Sequence, residues 1–330
     1  VTVARHQGWA PVGDDAVVVT RSRDVLSTSP PMLGMPTSLV LDSGVWTYHP
    51  GPLLFAWLAP FVVAFGRVTG GALGAAMLNL TAIVVSWWCV RSMFGPRTGI
   101  VAGTIGLLVA TSFVPIYLPL NSSLAATGTI AVFLAAWAVL MRVPRAAYAL
   151  IFFASMTAQS HLAYAVVTLS VAAPILGWHV VNRWRGAPGT ELRESAQAIA
   201  PVVGFTIALW IGSLLDRGRN LVQLIGQPAA ADSLRGPSHA LATVTSALGK
   251  LPIEFSRPGL LRMPPVAKHV DQLFTGEVSV AAVLVGALAL AVIGWASIRG
   301  ARSVRAGSMV LALAPFSAVG EVLFFPWWGD

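Results

Sequence analysis

"GPLLFAWLAPFVVAFGRVTGGALGAAMLNL", residues 51–80, decides how this chain is threaded through a membrane. A spanning helix needs about 20 consecutive apolar residues. The run at 72–90 meets that length, whereas the run at 51–66 is shorter and is interrupted by Pro52, Pro60 and Gly66. Whether 51–66 crosses is settled by the flanking charges, because Lys and Arg of short loops collect on the cytoplasmic side. The loops holding Arg91 and Arg97, Arg142 and Arg145, Arg183, Arg185 and Arg193, and Arg299, Arg302 and Arg305 carry nearly all the short-loop positive charge. All four can be cytoplasmic at once, and 72–90 then runs from outside to inside. Residues 51–66 cannot be an ordinary span in that arrangement, since residues 1–50 would fall in the cytoplasm. They are read as an interfacial or re-entrant helix, with residues 1–50 outside.

Further spans are expected near 99–117, 124–141, 147–159, 161–181, 199–215, 278–298 and 307–325. The uncharged connection at 118–123 and the turn Gln159-Ser160-His161 fall outside. Residues 142–183 thus form a hairpin entered from the cytoplasm, and its first arm is short enough to set the turn below the outer surface. The expected fold class is an all-α polytopic membrane protein. Residues 1–70 form a first extracytoplasmic loop with interfacial helices and an acidic motif. Residues 71–215 form a transmembrane bundle, 216–277 a second outer loop, and 278–330 further spans. The chain opens on Val1 in a polar stretch and stops at Asp330. It is expected to be a piece of a longer protein whose upstream span or cleaved signal carries the first loop across.

Composition supports the membrane reading. Of 330 residues, 56% are hydrophobic and 10% charged, and mean hydropathy is +0.74, against about 25% charged residues in soluble domains. The net charge of +8 reflects loop arginines, and without basic–aromatic repeats it does not point to nucleic acid. The single cysteine, Cys89, excludes an internal disulfide and a cysteine-built metal site. The sequence has no phosphate-loop, zinc-protease or nucleophile-elbow motif.

The residues with chemistry cluster in predicted outer segments. Asp14 and Asp15 follow Pro11 and Gly13 and precede a helix expected from about Asp15 to Ser27. There an Asp either caps the helix or acts as a general base at the membrane surface. Asp14 and Arg21 share a helical face, with Val17, Val18, Val25 and Leu26 turned to the membrane. His49, an interfacial residue before Pro50, can hydrogen-bond lipid headgroups. Gln159 and His161, at the hairpin apex, need a partner or a water-filled cavity if the apex is sunken. Glu321 is the sole acid within a predicted span, near the belt residues Trp327 and Trp328. Arg257, Arg262 and Lys268, among Pro258, Pro264 and Pro265, either grip a lipid-linked phosphate or face anionic lipid.

The order of these features resembles the GT-C superfamily of membrane glycosyltransferases, and within it bacterial envelope members. "GDDA" is similar to the family's acidic pair in the first outer loop. "YHPGPLLFAWLAPF" (48–61) looks like its interfacial helix, "RSMFGPRTG" (91–99) its basic turn, and "AQSHLAY" (158–164) the apex of its hairpin. The likeness covers roughly residues 9–180. The family's first span is missing here, and 181–330 match only in hydropathy. The resemblance implies a GT-C-like bundle in a bacterial plasma membrane, with its site on the extracytoplasmic side. It implies transfer of a sugar from a polyprenyl-phosphate donor to a glycan, lipid or protein hydroxyl, with inversion, in cell-envelope or cell-wall synthesis. Asp14 would be the base, Asp15 its support, and His49 would lie beneath the cavity. Arg21 and Arg23 are the nearest candidates for the leaving phosphate. No cofactor is required; a divalent metal, Mg²⁺ or Mn²⁺, would sit on Asp14 and Asp15. The alternatives are a transporter or lipid-handling protein, and a non-catalytic relative that binds lipid-linked sugar. A transporter is disfavoured because no repeat is evident and polar residues gather outside.

Overall fold

A computed structural model describes residues 10–40, 46–101 and 117–186, together with Thr206 and Trp210. The spans expected at 278–298 and 307–325, and nearly all of 99–117 and 199–215, lie outside the described residues. So does the loop at 216–277, and with it Arg257, Arg262, Lys268 and Glu321. The described chain runs α1 (Asp14–Asp24), β1 (Pro36–Val40), β2 (Trp46–Tyr48), α2 (Leu53–Phe94), α3 (Asn121–Leu140), α4 (Ala146–Ser160) and α5 (Leu162–Gly186). It is mostly helical, and three segments are long and apolar enough to cross a membrane: Leu53–Phe94, Asn121–Leu140 and Tyr164–Val181. The expected helices at 72–90, 124–141, 147–159 and 161–181 all appear, within a few residues at their ends.

α2 is two helices in one. At Gly66 the backbone leaves the helix at φ 78°, ψ 171°, a region open essentially to glycine alone. The arm before Gly66 doubles back on the arm after it. Trp57 Nε1–H donates to the Gly74 carbonyl at 3.0 Å. A side chain at Gly74 would strike Leu58 and Phe61, and one at Gly70 would strike the Phe61 backbone. Residues 51–66 therefore do form a separate helical element, as the prolines and glycine imply. The far end of α2 returns to the bundle, where the Phe94 ring meets Trp137 of α3 edge-on at 5.2 Å.

α3 and α4 pack on α2 and on each other, and α5 packs on α3 and α4. Ala131, Ala135, Ala138, Ala147 and Ala154 are buried, and Gly128 faces the Thr157 methyl with no room for a Cβ. Small residues of this kind let apolar helices approach closely. Between α3 and α4, Arg142 takes φ 60°. Its N–H reaches the Val139 carbonyl and the N–H of Val143 reaches Ala138, both at 2.9 Å. This is a Schellman stop with arginine where glycine is usual.

The first loop departs from an all-α architecture. β1 and β2 form a two-stranded antiparallel ribbon, with Pro36 opposite Tyr48 and Val40 opposite Trp46. Hydroxyls of Thr37 and Thr47 bond across it. α1 rests on α2, where Val19 fills the place a Gly71 side chain would take.

Candidate functional site

The site is assembled from helix ends. Beyond the ribbon, the Gly34 N–H donates to the His49 carbonyl at 3.0 Å and the His49 N–H to Met35 at 2.9 Å. Gly34 is held to glycine because a Cβ there would lie 2.8 Å from the His49 Cβ. This fixes the His49 backbone, and its buried ring turns to the α4–α5 apex. Nδ1 of His49 accepts the N–H of Leu162 at 3.1 Å. That N–H opens α5 and has no partner within its own helix. His49 thus caps α5 from 113 residues away, and the bond fixes it as the Nε2–H tautomer.

Gln159 does the same for α2. Its Oε1 accepts the N–H of Leu53 at 3.2 Å, and its carbonyl accepts the N–H of Gly51 at 3.4 Å. A side chain at Gly51 would overlap Gln159. Asn121, at the start of α3, donates from Nδ2 to the Ser160 carbonyl at 3.2 Å. The starts of α2, α3 and α5 and the end of α4 therefore meet in one polar knot.

The knot is not saturated. Nε2 of Gln159, on a side chain with no exposure, and Nδ1 of His161 are buried without a hydrogen-bond partner. Leaving such a group unpaired costs about 1–3 kcal/mol. Gln159, Asn121 and Ser160 line a crevice with Gly34, Gly51 and Val18, and it is too narrow to admit water. The His49 and His161 rings stack at 4.9 Å. Burial, and for His49 the neighbouring His161, push their pKa values down to about 3 for His49 and about 4 for His161.

α1 brings the acidic pair to this end through Val18. The expected Asp cap is corrected: Gly13, at φ 55°, is the cap residue, α1 begins at Asp14 itself, and no side chain caps it. The helix stops at Asp24. Asp14 is exposed and Asp15 turns inward. Asp15 shares a face with the fully buried Val18 and Ser22, at spacings of three and seven. Its Oδ1 is buried without a partner. Burial first, and the charge of Asp14 second, raise its pKa to about 6. Of the residues expected to face the membrane, Val18 is instead buried in the protein, Val17 and Leu26 are exposed, and Val25 is half-buried.

Arg21 forms an exposed ion pair with Asp24 at 3.2 Å, and Arg23 is exposed. Neither reaches the knot. Among the described residues no group of three or more His, Cys, Asp or Glu side chains could hold a metal ion. The geometry thus gathers His49, Gln159 and His161, sets Asp15 on the buried face of α1, and adds Asn121. Asn121 went unread because the stretch at 118–123 lacks charge; the available sign was a polar Asn-Ser-Ser run after Pro119, a helix start. Comparison with family models, curated proteins and solved structures returns no match to this chain.

Proposed function

We propose that the chain is an integral-membrane glycosyltransferase that moves a sugar from a polyprenyl-phosphate donor to an acceptor hydroxyl on the outer side. One observation carries the reading. Asp15 is an inward-facing carboxyl with a buried, unpartnered oxygen and a pKa raised to about 6. An acid held near working pH suits proton acceptance. The resemblance alone points to Asp14; burial and phase on α1 favour Asp15 as the proton acceptor, with Asp14 raising its basicity by charge.

The acceptor O–H gives its proton to Asp15 as its oxygen bonds to the anomeric carbon. The bond from that carbon to the phosphate oxygen breaks, and polyprenyl phosphate leaves with the electron pair, so the configuration inverts. Proton transfer of this kind contributes on the order of 10² to 10⁴ in rate. Asp15→Asn should lose at least about a hundredfold in transfer, measured with a polyprenyl-phosphate sugar in proteoliposomes. Activity should rise with pH through about 6 as Asp15 ionises. Full activity in the Asp14→Asn, Asp15→Asn double variant would end the proposal and leave lipid-sugar binding without chemistry.

A further inference from the structure

The crevice of the polar knot is too narrow for water, and the contacts that hold its walls together are few. On one side stands the first loop, fixed through Gly34, Met35 and His49. On the other stands the α4–α5 apex, residues 159–162. Between them run the His49 bond to Leu162, the His49–His161 stack, and the bonds of Gln159 to Gly51 and Leu53. Gly34 and Gly51 leave no slack, since a methyl at either would collide with His49 or Gln159. The unpaired Gln159 Nε2 is uncovered only if loop and apex separate.

The histidines set the condition for that. Nδ1 of His49 can accept the Leu162 N–H only while it carries no proton. Protonation turns the acceptor into a second donor facing a donor. Protonation of His161 as well would place two like charges in rings 4.9 Å apart. Tyr164 of α5 lies edge-on to His161 at 5.4 Å, and among the described residues neither ring is bonded to a carboxylate that could stabilise the charge.

We propose that His49 and His161 form a neutral latch that holds the α4–α5 apex against the first loop and keeps the crevice closed, and that protonating the pair releases it. The closed state favours the neutral rings and holds both below the usual histidine value of 6.5. An open state with solvated rings binds protons more readily. Closure is therefore complete above about 6.5 and is lost as pH falls towards 4 and 3. The latch stands on contacts alone and is separate from the proton transfer assigned to Asp15, so its test reads a distance and not transfer.

The whole chain, with Cys89→Ser, would carry spin labels at Met32→Cys in the loop and Leu169→Cys on α5, both exposed positions, in lipid nanodiscs. The distance should lengthen on the order of 5 Å, one helical turn, between pH 7 and pH 4. His49→Ala should show the long distance already at pH 7. His49→Asn keeps an acceptor near the Nδ1 position and cannot take a proton, so it should stay short at both values. A second pair, Val84→Cys with Ile130→Cys, reports the bundle and should not move. An unchanged loop distance at pH 4, a His49→Asn chain that opens as the parent does, or bundle labels that separate at the same pH would each overturn the latch.

Discussion

Asp15 opposes stability to chemistry within one side chain. Its pKa in the folded chain, about 6, lies above the ordinary 3.8. The folded state therefore binds the proton more tightly than the unfolded state. The stabilisation this brings is complete below about 3.8 and is lost as pH rises through about 6. Above that the fold carries a half-buried charge with one unpaired oxygen. Asp15→Asn keeps the shape and removes the charge. It should raise stability at pH 7.5 by about 1 kcal/mol, once the shift is discounted for solvent screening. It should also flatten the slope between pH 4 and 6, read as thermal midpoints in detergent. A gain in stability joined to a loss of transfer is what a functional acid gives. A drop in stability would mean that Asp15 holds α1 through contacts of its own.

The element that most shapes the molecule is the folded-back α2, and Gly66 is its hinge. Nothing lies within 4 Å of where a Gly66 side chain would project. Any effect of substitution there comes from the backbone alone. Gly66→Ala should cost about 1–3 kcal/mol without losing a contact. Gly74→Val, which meets Leu58 and Phe61, should cost more through collision. Equal effects in thermal unfolding would show that the two arms separate freely. The break was legible, because Pro52, Pro60 and Gly66 punctuate an apolar run. The helices at 124–141, 147–159 and 161–181 were legible from hydropathy and bounding arginines. The ribbon was not: Pro36–Val40 and Trp46–Tyr48 are five and three residues long, too short for alternation to stand out. The start of α1 was legible to within one residue, but its cap was not: an Asp cap was one of two readings, and Gly13 takes that place through a left-handed φ.

At the scale of the whole molecule, what holds the site together is a set of helix ends capped by other helices. No periodicity encodes that. His49 and Gln159 were singled out through family likeness and the rarity of polar residues near apolar runs. Their partners, Leu162 and Leu53, are apolar residues contributing only backbone N–H groups, which leave no trace in a sequence. The inward turn of Asp15 was recoverable, since Asp15, Val18 and Ser22 lie on one helical phase. Only packing shows which phase faces in.

The long reach of these caps has a consequence during synthesis. Leu53 waits 106 residues for Gln159, and His49 waits 113 for Leu162. At about 5–20 residues per second, the ribosome needs roughly 5–23 s to deliver them. For that interval the first loop has been made but has nothing to close on. Gly34, Gly51 and the ribbon stand open to proteases, chaperones or premature pairing. A chain halted at residue 150 and inserted in membranes should be cut within residues 31–52 by a protease added on the loop side. One halted at residue 200 should resist. Equal resistance would show that the loop settles on α2 and α3 alone, and that the apex arrives at a surface already formed.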